Sequence, residues 1–496
     1  MRLTMLLDLA ADGFGDRAVV GTSAAAITAG ELRERARRGA RLLGEHGAGA
    51  LVYTATNGSA VPVALFAAAA AGVPLVPLNY RLGEEQLGGL LARHPGALVI
   101  AQPQTSGLVE KAGLAQLTPE AWLAETGSGP ATETAEPDAE PTNGGPAVII
   151  YTSGTTSAPK GVLLRHHHLV SYVLGTVEFA TASDDDAALI CVPPYHIAAV
   201  ANVISNLFAG RRTVILDHFN AGDWLATARA ERVTNALVVP TMLARIVEHD
   251  GEGDVPTLRT LAYGGAPMPA RVIERALARW PAVGFVNAYG LTETSSTIAV
   301  LGPDEHRDAA ASTDPAVRAR LGSAGQVIPT VEVRILDDKG SELPAGTVGR
   351  ICVRGEQVSA EYDGAGVMLD DKGFFDTRDE GYLDADGFLF IGGRVDDTII
   401  RGGENIAPAE IETVLFEDPT VADVAVIGVP DEQWGQRIEA VVVAAAGRVV
   451  DPDALRELVR GRLRGSKTPD RVHVVPELPR TETGKLIRRQ VSALLG

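Results

Sequence analysis

The chain has 496 residues, of which 46% are hydrophobic and 22% are charged. This length predicts about three globular units, each large enough to bury a core. Because 44 basic side chains face 63 acidic ones, giving a formal net charge of −19, the composition argues against a protein that coats nucleic acid or anionic lipid. The two cysteines, Cys191 and Cys352, exclude a disulfide framework and a cysteine-based zinc site.

Two uncharged stretches, 61–78 and 187–210, approach the length of a membrane span. Prolines interrupt both, so we predict a buried helix ending near Gly72 followed by a short strand, and then a strand, loop and helix. Asp8 breaks the apolar run at the N-terminus, which argues against a signal peptide. We therefore expect no membrane span and a cytoplasmic location.

The order of elements predicts a mixed α/β fold. From about residue 30 to 300, short β-rich runs alternate with helical stretches, which is typical of parallel sheets covered by helices. The segment 126–145 is rich in Pro, Gly and acids and predicts a loop. Residues 322–392 predict a smaller β unit. We expect an N-terminal domain over 1–395, which includes that unit, and a small mobile α+β domain over 396–496.

A strand that ends at Tyr151 enters a hydroxyl-rich loop, TSGTTSAPKG, at residues 152–161. Glycine allows close approach of the backbone, and hydroxyls, backbone N–H groups and one ammonium provide a cradle for phosphate oxygens. The lysine precedes the glycine and no Ser or Thr follows, so this is not the GxxxxGK[ST] phosphate loop. The predicted phosphate-binding residues are Thr152, Ser153, Gly154, Thr155, Thr156 and Lys160.

Further motifs follow in order along the chain: PPYH at 193–196, YGGAP at 263–267, YGLTE at 289–293, TRD at 377–379, GRVDDTI at 393–399, RGGENI at 401–406 and PRTETGK at 479–485. Together with the loop at 152–161, they resemble the adenylate-forming superfamily, which includes acyl-CoA synthetases, adenylation domains of peptide synthetases and beetle luciferase. Ser157 and Arg378 stand where that superfamily usually has glycine. The resemblance implies an AMP-forming acid–thiol ligase of the acyl-CoA synthetase branch.

Each motif fits the chemistry of carboxylate activation, in which one anion attacks another and the site must neutralise charge and align the reactants. Thr292 can donate to the α-phosphate, and Glu293 offers oxygen to Mg²⁺. Asp379 can accept both ribose hydroxyls beside Arg394, and Lys485 lies between the acid and the α-phosphate. The catalytic residues are therefore Lys485, Thr292 and Glu293. Besides the phosphate-loop residues, the ATP-binding set is Gly264, Gly265, Ala266, Pro267, Asn287, Ala288, Tyr289, Gly290, Thr292, Asp379, Arg394 and Lys485.

The resemblance places the acyl pocket beside His196, which would form a gate or a wall of that pocket. The alternative is that His196 is a hydrogen-bonded histidine of the core. No acidic residue occurs from 197 to 216, and burying an ammonium without an anion costs on the order of several kcal/mol, so α-amino acids are poor substrates. No cation for a second carboxylate is evident in the stretches expected at the pocket, 196–202, 264–266 and 287–290. This favours a hydrophobic, bulky or aryl or alicyclic acid with one carboxylate. The predicted pocket residues are His196, Ala198, Ala199, Asn202, Gly264, Gly265 and Gly290.

The second half-reaction requires a thiol. The resemblance makes Asp396 a hinge and brings Gly402 and Gly403 to the thiol arm of CoA, although both segments are also compatible with ordinary turns. The segment 456–489 has ten basic and four acidic residues. This excess of positive charge would suit the phosphates of CoA and favours free CoA as the acceptor. A carrier protein is the alternative acceptor. The expected ligands are thus ATP, Mg²⁺, CoA and a small carboxylic acid. The run His166, His167 and His168 has no zinc spacing, so we expect it to be structural.

Overall fold

The computed structural model describes residues 1–128, 144–152, 159–249, 254–401, 404–463, 465–481 and 484–495. The predicted loop at 126–145 lies mostly outside these ranges, and its first two residues belong to a helix. No helix within the described ranges is long and apolar enough to cross a membrane.

The helices alternate with strands over the first 300 residues and become sparse afterwards. In chain order they are α1 (Thr4–Phe14), α2 (Ala29–Glu45), α3 (Ala60–Ala71), α4 (Glu84–Leu91), α5 (Pro103–Lys111), α6 (Pro119–Gly127), α7 (His166–Thr176), α8 (Ile197–Ala209), α9 (Ala221–Ala230), α10 (Pro240–Glu248), α11 (Ala270–Arg279), α12 (Pro303–Ala311), α13 (Pro315–Ala319), α14 (Pro408–Leu415), α15 (Pro452–Arg462) and α16 (Arg488–Val491).

Within the described ranges, the strands fall into two large sheets and two small ones. In chain order they are β1 (Ala18–Thr22), β2 (Ala25–Thr28), β3 (Leu51–Thr54), β4 (Leu75–Pro77), β5 (Leu98–Ala101), β6 (Ala115–Leu117), β7 (Pro146–Thr152), β8 (Lys160–Arg165), β9 (Ala187–Ile190), β10 (Arg212–Ile215), β11 (Asn235–Val238), β12 (Thr260–Gly264), β13 (Gly284–Leu291), β14 (Ser296–Leu301), β15 (Gly325–Val327), β16 (Glu332–Leu336), β17 (Gly349–Arg354), β18 (Glu361–Tyr362), β19 (Gly366–Val367), β20 (Phe375–Leu383), β21 (Phe388–Arg394), β22 (Ile399–Arg401), β23 (Glu404–Ile406), β24 (Val421–Asp431), β25 (Gly435–Ala444) and β26 (Arg471–Val475).

The N-terminal part is built from two sheets that share one core. One sheet has the order β19-β18-β8-β7-β4-β3-β5-β6, and the other runs β16-β17-β20-β21-β15-β14-β13-β12-β11-β9-β10-β1-β2. Residues of both sheets and of helix α3 belong to one core, which includes Leu51, Phe66, Leu189 and Phe285. The mixed α/β class predicted from the alternation is confirmed.

Both uncharged stretches fold as predicted. Helix α3 is buried on nearly every side and ends at Gly72, whose φ of 73° provides a left-handed cap before strand β4. The second stretch gives strand β9, a loop and helix α8. In α3, apolar character on nearly every side therefore accompanies a helix that is buried within the N-terminal part.

Five of the strands between residues 322 and 394 extend the second sheet and enclose a core of their own: β15, β16, β17, β20 and β21. Strand β15 pairs with both β14 and β21, which joins them to the preceding sheet, and their core includes Ile298, Ile351 and Leu389. The C-terminal region has a separate sheet, β24-β25-β26, whose core with α14 and α15 includes Ile411, Val426 and Leu455.

Candidate active site

The ends of the phosphate loop are held by a β-hairpin. Strands β7 and β8 are antiparallel and pair Thr152 with Lys160, so both predicted residues lie at the same edge of the sheet. Lys160 Nζ lies 5.8 Å from the ring centroid of Tyr362. The remaining loop residues, Ser153, Gly154, Thr155 and Thr156, lie outside the described part of the chain.

Glu293 follows strand β13 in a short 3₁₀ turn, Thr292–Thr294. The sharp return into β14 requires glycine at 290, because a Cβ there would collide with the carbonyl oxygen of Ser296. The hydroxyl of Tyr362 donates to Glu293 Oε1 at 2.9 Å. Burial, followed by the negative charge of Glu293, raises the pKa of Tyr362, so this hydroxyl remains a donor.

Tyr362 was not predicted as a site residue, because no motif near it in the chain indicates a role in ligand binding or catalysis. It reaches Glu293 through a long-range pairing, in which Tyr362 of β18 lies opposite Val162 of β8. The carboxylate therefore has one oxygen fixed. Its other oxygen accepts no hydrogen bond from the residues that the structure describes, which leaves it available to a cation.

Asp379 is the buried acceptor of the site and is only 7% exposed. The Tyr289 hydroxyl donates to Asp379 Oδ2 at 2.6 Å, and Arg394 Nη1 lies 3.7 Å from Oδ1. Burial raises the pKa of Asp379, whereas the Tyr289 hydrogen bond and the charges of Arg394 and Lys485 oppose that rise. The arrangement orients a carboxylate that can accept hydrogen bonds from two neighbouring hydroxyls.

Lys485 enters the site from the C-terminal region on a tight turn. Thr481 donates its N–H to the carbonyl of Lys485 at 2.8 Å, and Gly484 donates to that of Thr481 at 2.8 Å. Gly484 has a φ of 74°, and a Cβ there would collide with Oγ1 of Thr241 at the start of α10. Glycine therefore lets this turn dock directly on the N-terminal domain.

The ammonium of Lys485 lies within electrostatic reach of Asp379, Arg394 and Glu293. Lys485 is solvent-exposed along the cleft, yet the surrounding protein lowers its pKa, and the charge of Arg394 adds to that effect. The charges of Asp379, Asp397 and Glu293 act in the opposite direction. Three distant segments of the chain thus converge on one charged centre.

His196 begins helix α8 close to that centre. Its ring lies 4.8 Å from that of Tyr195, and it forms no hydrogen bond to another described side chain. Burial and the charge of Lys485 lower its pKa to about 4, so the imidazole is neutral near pH 7. This favours a wall of the cleft over a hydrogen-bonded core histidine.

The other predicted pocket residues divide between cleft and core. Ala198 and Asn202 are partly exposed and share a helix face, since the Asn202 amide donates to the Ala198 carbonyl at 2.8 Å. Ala199 is 1% exposed and packs in the main core. Gly264 ends strand β12 opposite Ala288 of β13, and Gly265 directly follows the strand with a φ of 84°. The Asn287 amide donates to the Ser323 carbonyl at 2.8 Å.

A cavity of about 630 Å³ adjoins the Lys485 turn. It lies between the N-terminal domain and the C-terminal region, because its wall includes Tyr80, Pro193 and Met242 as well as Leu478 and Gly484. Of these residues, Pro193 and Gly484 belong to the PPYH and PRTETGK motifs, whereas Tyr80, Met242 and Leu478 belong to no motif. Only the docking of the two regions brings them together.

The residues predicted to contact the thiol arm and to form the hinge lie largely outside the part of the chain that the structure describes. Gly402 and Gly403 are not among the described residues, nor is the side chain of Asp396, whose backbone lies in a 3₁₀ turn, Val395–Asp397, directly after Arg394. Among the described residues of the basic segment at 456–489, six side chains form ion pairs with acids: Arg456, Arg460, Arg462, Lys467, Arg480 and Arg488. Much of the positive charge of this segment is therefore neutralised by ion pairs within the protein.

The site offers Mg²⁺ one carboxylate, so the ion would take its other donors from a bound phosphate ligand and water. Among the described residues, no group of three or more His, Cys, Asp or Glu side chains could hold a metal. Mg²⁺ is commonly held by one or two carboxylates together with phosphate oxygens and water. Glu293 meets that requirement.

Two family profiles match most of the chain. The profile of the AMP-binding enzyme family matches residues 7–363, and that of the AMP-binding enzyme C-terminal domain matches residues 410–485. The chain belongs to the AMP-binding enzyme family. It is thus a member of the adenylate-forming superfamily, as its motif order predicted.

Two curated relatives differ in their thiol acceptor. A feruloyl-CoA synthase from Amycolatopsis sp is 35% identical over 482 residues, covering 95% of this chain and 94% of the relative. A fatty acid–[acyl-carrier-protein] ligase, ScoC, from Streptomyces coeruleorubidus is 34% identical over 446 residues, covering 86% and 83%. Both are similar along most of their length.

Among solved structures, o-succinylbenzoate CoA synthetase from Bacillus subtilis has a similar fold. Its complex with the acyl-adenylate intermediate OSB-AMP superposes with a TM-score of 0.83 at 28% identity, covering 98% of this chain and 97% of that one. Its complex with ATP and magnesium ion gives a TM-score of 0.82 at 28% identity, covering 98% and 99%. The similarity therefore spans both the N-terminal and the C-terminal regions.

Proposed function

We propose that the protein is an AMP-forming acyl-CoA synthetase that activates a hydrophobic, aryl or similarly bulky carboxylic acid and transfers it to CoA. The observation that carries this proposal is the convergence of Lys485, Glu293 and Asp379 from three separate segments. The feruloyl-CoA synthase and o-succinylbenzoate CoA synthetase similarities support both the reaction and the aryl class of acid. ATP and CoA are the co-substrates.

In the first half-reaction, a carboxylate oxygen of the acid attacks the α-phosphorus of ATP. The bond from that phosphorus to the bridging oxygen breaks, and pyrophosphate leaves with the electron pair. Asp379 and Arg394 hold the ribose, Thr292 donates to the α-phosphate, and Lys485 stabilises charge between the two anions. Glu293 would hold Mg²⁺, which neutralises phosphate charge.

In the second half-reaction, the CoA sulfur attacks the acyl carbonyl carbon, and AMP leaves. The thiol proton is released. We propose that the region after Asp396 rotates between the two steps and withdraws Lys485 as Gly402 and Gly403 approach the thiol arm. Domain bounds of 1–395 and 396–496, together with a cytoplasmic location, stay predictions of the sequence.

The proposal is tested by product analysis of the purified enzyme with ATP, Mg²⁺ and CoA. The acid panel contains hydroxycinnamic, arylacetic, alicyclic, straight-chain and α-amino acids, and mass spectrometry follows acyl-CoA, AMP and pyrophosphate. We expect acyl-CoA with aryl or alicyclic acids, matched by AMP, and none with α-amino acids. Release of ADP and phosphate in place of AMP and pyrophosphate would contradict the proposal.

A carrier protein is the second candidate acceptor, which the ScoC similarity favours. A parallel reaction replaces CoA with a phosphopantetheinylated acyl carrier protein. Acyl transfer to the carrier, with none to free CoA, would replace the ligase assignment by a carrier-loading one.

A further inference from the structure

Strand β20 carries a bulge where it passes β17. Asp376 pairs with Cys352 and Glu380 pairs with Arg350, so residues 377–379 together face the single residue Ile351. The Thr377 hydroxyl anchors the bulge by donating to the Ile351 carbonyl at 2.8 Å. Bulges commonly redirect side chains next to functional sites.

Arg378 occupies the strained position of this bulge, with a φ of 61°. Glycine adopts this left-handed conformation without a steric penalty, whereas an L side chain does not. Glycine is also what the superfamily usually has before this aspartate. A strained non-glycine residue beside an active-site group suggests that its side chain has a use there.

The neighbours of Arg378 indicate what that use is. It directly precedes Asp379 and is exposed, in contrast to the buried Asp379. Tyr362 holds Glu293 and lies beside Lys160. Burial raises the pKa of Tyr362, and the positive charge of Arg378 is among those that oppose the rise. Because Lys160 ends the phosphate loop and Glu293 is the candidate magnesium ligand, this side of the site faces the polyphosphate.

We propose that Arg378 binds the β- and γ-phosphates of ATP and the pyrophosphate that they become. The inference rests on the ATP-binding half of the proposed function. When the bond between the α-phosphorus and the bridging oxygen breaks, the electron pair and negative charge pass to pyrophosphate. A planar guanidinium can form paired hydrogen bonds with phosphate oxygens and so stabilises that charge.

The test is equilibrium binding by calorimetry in the presence of Mg²⁺, using a non-hydrolysable ATP analogue and AMP. Arg378→Gly should weaken binding of the ATP analogue about tenfold, the usual loss for a hydrogen bond to a charged group. AMP, which lacks the β- and γ-phosphates, should bind within about twofold of wild type by the same reasoning. Arg378→Lys keeps a cation and should recover part of the loss.

Arg232→Gly is the matched control, since Arg232 is an exposed arginine with a φ of 53° outside the site. Both glycine variants relieve the same kind of strain and should unfold at a slightly higher temperature, but only Arg378→Gly should lose affinity for the ATP analogue. Unchanged affinity in Arg378→Gly would overturn the proposal. Equal losses for the analogue and AMP would also overturn it, because they would show that Arg378 only positions Asp379.

This binding assay needs no acid and no thiol. If the acid panel yields no thioester while Arg378→Gly still loses affinity for the ATP analogue alone, the proposed overall reaction fails and the assignment of Arg378 stands.

Discussion

At the scale of single residues, the Tyr362–Glu293 hydrogen bond decides how the candidate magnesium ligand is presented. The hydroxyl fixes one carboxylate oxygen at 2.9 Å, so the other oxygen has a defined direction. Partners of this kind commonly change metal affinity when removed, because they orient the ligand.

We therefore expect Tyr362→Phe to raise the Mg²⁺ concentration needed for half-maximal adenylate formation by about tenfold, with little change in unfolding temperature. Initial rates measured against Mg²⁺ at saturating ATP check this. Tyr382→Phe is the control, because the Tyr382 ring stacks on Phe390 at 4.8 Å and lies outside the candidate site. An unaltered Mg²⁺ dependence in Tyr362→Phe would show that Tyr362 does not position Glu293.

The histidine run predicts a pH dependence of stability. His166 Nδ1 accepts the N–H of Leu3, and His168 Nδ1 accepts that of Arg165. Burial, the largest cause, lowers the pKa of each to about 4, below about 6.5 in an unfolded chain. Between these values the unfolded chain binds more protons, so stability falls as the pH falls from about 6.5 towards 4.

His168→Asn keeps an acceptor for the Arg165 N–H and removes the titrating group. Between pH 7 and pH 5, the variant should lose about 1–2 kcal/mol less unfolding free energy than wild type. The readout is the difference in unfolding temperature across that interval. Equal decreases in both proteins would mean that His168 is not held neutral by the fold.

At the scale of elements, helix α11 holds the C-terminal region in its docked position. The Arg271 guanidinium donates to the carbonyls of Val421 and Ala422 at 2.6 and 2.9 Å and lies over the Phe416 ring at 5.6 Å. These contacts join the start of α11 to the start of β24. They exist in the arrangement that brings Lys485 to Asp379.

Arg271→Ala should therefore slow acyl-adenylate formation about tenfold, about 1.4 kcal/mol of barrier, and affect transfer to CoA less. Single-turnover measurements of the two steps separate these effects. Arg275→Ala, one helical turn away, is the control, since Arg275 pairs with Glu248 at 3.3 Å. If Arg271→Ala slowed both steps equally, its contacts would not be specific to the docked state.

The sequence predicted those elements whose signals are local. The proline-interrupted stretches gave α3 and α8 because apolar character and breakers lie within the same few residues, and the motif order gave the family. Tyr362 and the β20 bulge were not predicted, since both depend on pairings between distant strands. Arg378 was recognised only as a missing glycine, because a backbone φ cannot be read from residue type.

At the scale of the whole molecule, the docking of the C-terminal region on the N-terminal domain could not be predicted from the sequence. Nothing local indicates that Gly484 contacts Thr241 or that a cavity opens between Met242 and Leu478. The roles assigned to Lys485, Glu293 and Asp379 came from the motifs and stay predictions, and the structure supports them by bringing the three residues together. Because the proposed rotation withdraws Lys485 before the thiol attacks, we expect Lys485 to serve adenylation alone.

The most direct test compares Lys485→Ala with wild type in the two half-reactions, using an acid accepted in the panel and its chemically prepared acyl-adenylate. From the acid and ATP, the variant should release pyrophosphate at least about 10²–10³-fold more slowly, since it lacks the cation at the centre of developing charge. From the prepared acyl-adenylate and CoA, it should form acyl-CoA at nearly the wild-type rate. Pyrophosphate release at the wild-type rate, or equal loss of both steps, would contradict the account.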